Sequence, residues 1–406
     1  MCDMEASAPI LLPKYDPRDP RTIDDPYVTY ADLRRAGPLC RAFGPGHWAV
    51  TRYADIAALL GDPRLGMEFT DTYHGVQEGP LAEFFRRIIF ERDPPAHTRL
   101  RHLIGQAFDS GFFRRLHDRT AVRVDALLDP LLERGRFDAV ADLAVQVPMW
   151  SSGELLGIPA ADLPPFHAHE SLLAKSIDMR HLPGQDYSGA EQSLTWLRAY
   201  LEPLVAARRR QPGDDLLSRM ASAEHQGERL TDAEIVDNAI FIFFAGLDTS
   251  KDLISIGCAA LLQFPDAWVR LRADRSLVHL AVEEFLRYDA PIQALGRRVL
   301  EPIPIAGHVL RQGRIVWLLL GSANHDERQF SDPDRVNVAR KPNPHVTFGM
   351  GAHHCLAAPL ARAGAAMVFR RLVDRCATLD TEGPPVRRPS ALFRSYESIP
   401  LRVTSV

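Results

Sequence analysis

Apolar positions recur every three to four residues along most of the chain, the spacing that puts them on one face of an α-helix. Stretches near 97–108, 115–134, 140–157, 188–209 and 359–378 carry this pattern, separated by turn-forming clusters such as "ERDPPAH", "RRQPGDD" and "FPDAW". Runs with strand character are few and short, at 47–51, 301–307, 313–321 and 398–403. The pattern predicts a mainly α fold with a small β part.

One predicted helix is longer than the rest. It opens at "TDAE", where the Thr231 hydroxyl caps the first turn and Glu234 returns the hydrogen bond three residues on. No proline follows until after Phe264, which gives roughly 50 Å of helix at about 1.5 Å per residue. In its middle, "FFAGLDTSKD" replaces strong helix formers with Gly246, Asp248, Thr249 and Ser250. Such residues weaken the ladder or bond back to the preceding turn. A local break is expected there, explained either by tight packing at Gly246 or by a functional groove.

No internal repeat, low-complexity tract or long Ser/Gly linker divides the sequence, so residues 1–406 are read as one domain. The N-terminal "MCDMEASAPILLPKYDPRDP" holds Asp3 and Glu5 and no long apolar core, unlike a signal peptide or anchor. No window offers the twenty or so apolar residues that span a bilayer. These features predict a soluble, cytoplasmic protein with no membrane contact. A net charge of −4 excludes binding to nucleic acid through bulk charge. The five cysteines (Cys2, Cys40, Cys258, Cys355, Cys376) are scattered and never form a CxxC pair, which fits a reducing compartment. Cys40, Cys258 and Cys376 sit among apolar neighbours as small core residues.

Cys355 is different. In "HVTFGMGAHHCLAAPLAR" it follows Gly349, Gly351, His353 and His354 and precedes a helical run. Three chemistries compete for it: a zinc ligand, a nucleophile and the thiolate ligand of a haem iron. Zinc requires about four ligands in paired spacings, and no second cluster is evident. A nucleophile requires a base, and nothing in the sequence marks one. Two further pairs share helix faces: Glu284 with Arg287 in "LAVEEFLRYDAP", and His97 with Arg101 in "DPPAHTRLR". Alone, the first is an ordinary surface ion pair and the second a solvated cationic face.

In this order and at these separations the segments resemble the bacterial cytochrome P-450 family of haem-thiolate monooxygenases. The resemblance runs nearly end to end, from "DPYVTYADLRRAGPL" and "WAVTRYADIAALLGDPRLG" through "AGLDTS", the Glu284/Arg287 pair and "GSANHDERQFSDPDRVNVAR" to the cysteine loop. It implies the cytochrome P-450 fold, with haem b (iron protoporphyrin IX) between the long central helix and the cysteine loop. It also implies a monooxygenase that takes dioxygen, a small and largely apolar organic substrate, and electrons from a ferredoxin-type partner and ultimately NAD(P)H. Cys355 matches the axial metal ligand, with Phe348 opening its loop. The start of the helix after it supplies N–H groups and a dipole end that favour a thiolate, and a thiolate pushes electron density toward iron.

The resemblance assigns His97, Arg101, Arg298 and His353 to the haem propionates; the spacing from Pro291 favours Arg298 over Arg297. Above the iron it places Ala245 and Gly246 as the dioxygen groove, Thr249 as the distal alcohol and Asp248 as the acid that relays protons to it. Glu284 and Arg287 become a buried structural pair bracing the Arg340 segment. The substrate pocket is expected from Phe241, Phe244, Ile292, Gln293, Leu295 and Phe393. Leu392, Asp71, Tyr73, His74, His167 and His169 add to it. Arg99, Arg101, His102, Arg114, Arg115 and Arg362 are expected to form a cationic docking patch. Departures from the family pattern are Ala357 for a usual glycine, Ser250 for threonine, His325 for arginine and Leu300 for alanine. Oxidative coupling or rearrangement in secondary metabolism remains open as an alternative, as does a haem sensor or electron carrier.

Overall fold

The computed structural model describes residues 12–69, 78–174 and 186–406. Helices dominate, and they lie close to the predicted bounds: Ala96–Ala107, Ser110–Arg134, Ser188–Arg210 and Ala358–Arg375. The stretch at 140–157 is not uniform. It opens as a wider π-helical turn over Ala139–Ala144, capped by Asp138, and continues as an α-helix over Gln146–Leu156. Among the described residues no helix is long and apolar enough to cross a membrane.

The long helix spans Asp232–Gln263, with the Thr231/Glu234 capping box formed in both directions. The expected break does not occur. Thr249 instead bonds back through Oγ1 to the Ala245 carbonyl at 2.7 Å, and helix continues through the glycine. Two hydrophobic cores divide this helix between them. Ile235 to Leu247 belongs to a cluster with Phe166, Leu194 and Leu197, from the helices Leu163–Ala174 and Ser188–Arg210. Leu253 to Phe264 belongs to a second, with Phe285, Phe369 and Leu372 from the helices Val278–Tyr288 and Ala358–Arg375. Each fully buried Leu or Phe contributes about 1.5–3 kcal/mol. At Gly257 the backbone itself is the contact surface, since an added Cβ would lie 2.2 Å from Phe369 Cζ.

The β part is one six-stranded sheet and smaller pieces. Its order is Lys14–Tyr15, Leu39–Ala42, Trp48–Val50, Ile315–Leu318, Leu295–Val299, Leu65–Gly66. Leu295–Val299 pairs antiparallel with Ile315–Leu318, placing Arg297 opposite Val316 and Arg298 opposite Ile315. The strand run expected at 313–321 is shorter, because Leu320–Asn324 folds as a helical turn. A third core lies under this sheet around Trp317 and Tyr30.

Glu284 and Arg287 are fully buried. Arg287 grips both Glu284 oxygens at 2.9 Å, and Arg340 Nε donates to the same carboxylate at 2.9 and 3.1 Å. The remaining Arg287 donors go to the carbonyls of Asn324, Pro333 and Arg335. The Asn324 side chain then ties Val346 N and Thr347 Oγ1, and Thr347 Oγ1 donates to Leu286 O. One buried carboxylate thereby fixes the chain that leads into the cysteine loop; deleting one partner of such a network costs about 3–5 kcal/mol.

A second tie is pH-sensitive. Burial pushes the Glu283 carboxyl up, but hydrogen bonds from His345 and Arg362 outweigh it and hold the group down at about 2. A folded-state value below the ordinary one gives stability that is present above about pH 4.5 and is lost as pH falls toward 2. Glu283→Gln is therefore expected to lower the neutral-pH denaturation midpoint and to flatten its decline across that window. Urea unfolding followed at several pH values checks this.

Candidate active site

A cavity of about 360 Å³ lies between the long helix and the Ala358–Arg375 helix. The long helix lines it with Phe241, Ile242, Ala245, Gly246 and Thr249, and the cysteine loop with Phe348, Cys355 and Leu356. The cavity is mainly apolar, and Phe90 stacks on Phe241 with ring centroids 5.6 Å apart.

The loop that presents Cys355 is built for a tight fold. Cys355 N donates to Phe348 O at 2.9 Å and His354 N to Gly351 O at 3.1 Å. Gly351 has φ +69°, and a Cβ there would meet Gly61 Cα at 2.9 Å, so both its conformation and its packing require glycine. Beyond the cysteine, Pro359 occupies the first turn of the helix, where no N–H is needed. Ala357 sits at φ −91°, a conformation open to any L-residue, so its methyl causes no backbone strain. Burial pushes the Cys355 thiol up, against the N–H groups of Ala357 and Ala358 and the charges of Arg101 and Arg362, which pull it down. A free thiol raised in this way is a poor nucleophile at neutral pH. Among the described residues no group of three or more His, Cys, Asp or Glu side chains could hold a metal ion, so zinc has no ligand set.

One end of the cavity gathers cationic groups. His97 and Arg101 reach it from consecutive turns of the Ala96–Ala107 helix, Arg297 from the sheet and His353 from the cysteine loop. The His97 and His353 rings lie 4.0 Å apart. Each is harder to charge than usual. Burial and then the neighbouring His97, Arg297 and Arg101 push His353 down to about 3. Burial and Arg101 lower His97, while burial lowers Arg101 and takes Arg297 to about 10. Among the described residues, neither Arg101 nor Arg297 has a salt-bridged carboxylate; Arg297 Nη1 instead meets Met67 Sδ and the Gly296 carbonyl. Asp93 bears on His97 and Arg297 but is not salt-bridged to Arg297, and two buried guanidinium groups beside two imidazoles suit an anionic occupant.

Arg297 corrects the expectation of Arg298. Neighbours on a strand point to opposite faces, and Leu295 and Arg297, two apart, share the cavity face. Arg298 is turned the other way, with Nη1 toward Glu68 O at 3.4 Å. Counting from Pro291 failed because irregular chain intervenes; counting by twos from Leu295 would have found it. Gln293 also leaves the pocket: its Nε2 donates to Ala290 O at 2.7 Å, facing Tyr27. Phe393 and Leu392 lie in the core under the sheet, where Phe393 bridges Ile292, and Phe244 is buried off the cavity wall. Phe241, Ile292 and Leu295 do line it. His167 and His169 turn to Glu170 and Ser193, while Asp71, Tyr73 and His74 lie outside the described residues.

Asp248 is buried away from the cavity wall, with Lys251 Nζ 2.6 Å from its Oδ1. Lys251 is a residue that the sequence reading missed; its signal was the i,i+3 spacing from Asp248. The expected docking patch is largely neutralised. Arg99 pairs with Glu228 and Glu234, Arg115 with Asp214 and Arg362 with Glu283, while Arg101 faces the cavity. His102 stacks on His225, and Arg114 is exposed.

The family model for cytochrome P450 matches residues 165–393. The chain belongs to the cytochrome P450 family. It is 34% identical over 388 residues to cytochrome P450 monooxygenase PikC of Streptomyces venezuelae, covering 93% of this chain and 91% of that one. It is 35% identical to the vitamin D(3) 25-hydroxylase of Pseudonocardia autotrophica, with 93% of each chain covered. The crystal structure of CalO2 superposes with a TM-score of 0.90 at 32% identity, covering 96% of this chain and 99% of that one. This cytochrome P450 is therefore a monooxygenase of a haem-dependent family. The cavity fits that cofactor: a flat apolar ring suits the slot, two propionates suit the cationic end, and a thiol faces the space between the walls.

Arg297→Gln is expected to weaken haem retention clearly, by tenfold or more in apparent affinity, whereas Arg298→Gln leaves it near wild type. Haem titration of the two purified variants checks the correction.

Proposed function

We propose that this cytochrome P450 holds haem b through Cys355 and inserts oxygen into a small, largely apolar organic molecule. The observation that carries this reading is that Cys355 lines one cavity together with Ala245, Gly246 and Thr249 of the long helix and with His97, Arg101, Arg297 and His353. Haem, when bound, supplies the activation of dioxygen. His97, Arg101, Arg297 and His353 would hold its propionates, whose charge would offset what burial costs the two guanidinium groups. Gly246 lines the cavity beside Ala245 and Thr249 and has no side chain, which would leave this stretch of helix open to a small diatomic.

Thr249 holds its own proton on the Ala245 carbonyl, so its oxygen has lone pairs free to accept a proton and pass one into the cavity. Asp248, one residue earlier, is the acid that supplies it. Substrate binds by burial against Phe90, Phe241, Ile292 and Leu295, which exclude water from the reacting centre. Electrons arrive singly from a ferredoxin-type protein and ultimately from NAD(P)H. The naming of two relatives for oxygen insertion, as monooxygenase and 25-hydroxylase, supports oxygenation over coupling or electron transfer alone.

With a surrogate ferredoxin and reductase, a bound substrate is expected to stimulate NAD(P)H and oxygen consumption together and to give a product heavier by one oxygen. Thr249→Ala is expected to keep the consumption but divert most of it to hydrogen peroxide. Product with no added oxygen would favour coupling, and no substrate-dependent consumption would favour a carrier or sensor.

A further inference from the structure

Between its two apolar halves the long helix carries five consecutive polar residues, Asp248 to Asp252, and three of them are buried charges: Asp248 and Lys251 at 7% exposure and Asp252 at 0%. Asp248 and Asp252 flank one ammonium, with Lys251 Nζ at 2.6 and 3.6 Å from their Oδ1 atoms. Ser395 Oγ donates to Asp252 Oδ1 at 2.5 Å, and the charge of Arg388 bears on both Lys251 and Asp252. The helix Leu163–Ala174, which packs on the long helix, carries Glu170, completely buried and within electrostatic reach of Asp248 and Lys251. Glu170 Oε2 lies 3.0 Å from His167 Nδ1, and its Oε1 has no hydrogen-bond partner. The His167 side chain is 26% exposed, which gives this buried pair an outlet to water.

Glu170 Oε1 and, within the girdle, Asp252 Oδ2 are both buried without a hydrogen-bond partner, and an orphaned acceptor costs about 1–3 kcal/mol. We propose that Glu170 and His167 are the outer step of a proton path that reaches Thr249 through Asp248, and that Lys251 is the residue that positions Asp248 within it. The proposal rests on the haem-monooxygenase reading and extends it to residues that do not touch the cavity. His167 takes a proton from water and donates its Nδ1 proton to Glu170 Oε2. Glu170 offers a proton from Oε1 toward Asp248, and Asp248 passes one to Thr249. No electrons move, and each group regains its proton from the step outside it. Lys251 holds Asp248 against its own helix until the carboxylate exchanges that contact for the incoming proton.

The electrostatics agree. Burial raises the Glu170 carboxyl to about 7, opposed by the hydrogen bond from His167; Asp248 raises it further and Lys251 lowers it. A group poised near neutrality both accepts and releases protons at working pH. Its surroundings are His167 on its own helix, Asp248 and Lys251 on the long helix, and Asp252 and Arg388 behind them. The helix Ser188–Arg210 presents Ser193 and Trp196 to the neighbouring His169.

The test uses the haem-loaded protein and the variants Glu170→Gln, Lys251→Met and Lys251→Arg, each first checked for the carbon monoxide absorption of a thiolate-ligated haem. Glu170→Gln is expected to raise the fraction of oxygen lost as peroxide several-fold and to abolish its pH dependence around 7. Lys251→Met should behave similarly, while Lys251→Arg keeps near-wild-type coupling, a rescue that loss of packing alone would not produce. Infrared spectra of the ferric protein supply a readout apart from turnover: a protonated-carboxyl band that grows as pH falls through about 7 in wild type and is missing in Glu170→Gln. If the haem band is present and Glu170→Gln couples like wild type at every pH, or the carboxyl band is unchanged, the path is overturned alone. If wild type lacks the haem band, the underlying reading falls and takes the path with it.

Discussion

His97, Arg101, Arg297 and His353 converge on one end of an apolar cavity, and burial there depresses the charging of every one of them, with neighbouring cations adding to it at His97 and His353. A fold retains cationic groups buried in this way only when something else compensates the lost solvation. Two carboxylates on the edge of a flat apolar cofactor would do so, with charge-assisted hydrogen bonds in place of water. The cavity's other features fall in line with this constraint: an apolar slot for the ring, lined by Ala245 and Gly246 of the long helix and by a single thiol, Cys355.

The scaffold that imposes this geometry is polar at two buried places. Glu284 is held by Arg287 and Arg340, and the contacts continue through Asn324 and Thr347 to the loop that carries Cys355. This explains why a pair that looks like an ordinary surface contact in sequence is fully buried in the fold. The second place is the girdle from Asp248 to Asp252, where the long helix passes from one hydrophobic core to the other. Charges there face helix Leu163–Ala174 at Glu170 instead of lining the cavity.

Helices with strong periodicity were legible in the sequence to within a few residues, because their apolar faces are what the cores bury. The capping box at Thr231 and the stop at Phe264 were equally local signals. What failed were features set by tertiary context. The break expected at Gly246 disappears because packing on both sides sustains the ladder and Thr249 bonds back to Ala245. The choice between Arg297 and Arg298 depends on strand parity, which a count from Pro291 through irregular chain does not preserve. Gln293 and Phe393 were placed in the pocket by the family resemblance, but their side chains serve Tyr27 and the sheet core. Basic residues expected to be free for docking had acidic partners more than seventy positions away, as for Arg115 with Asp214 and Arg362 with Glu283. No spacing rule reveals such pairs.

The most direct test of a thiolate-held haem in this cavity is the absorption spectrum of the reduced protein under carbon monoxide, recorded beside Cys355→Ala. The account predicts the strongly red-shifted band of thiolate-ligated haem in wild type and its loss in the variant. A histidine-type band in wild type, or an unchanged band in Cys355→Ala, would contradict it.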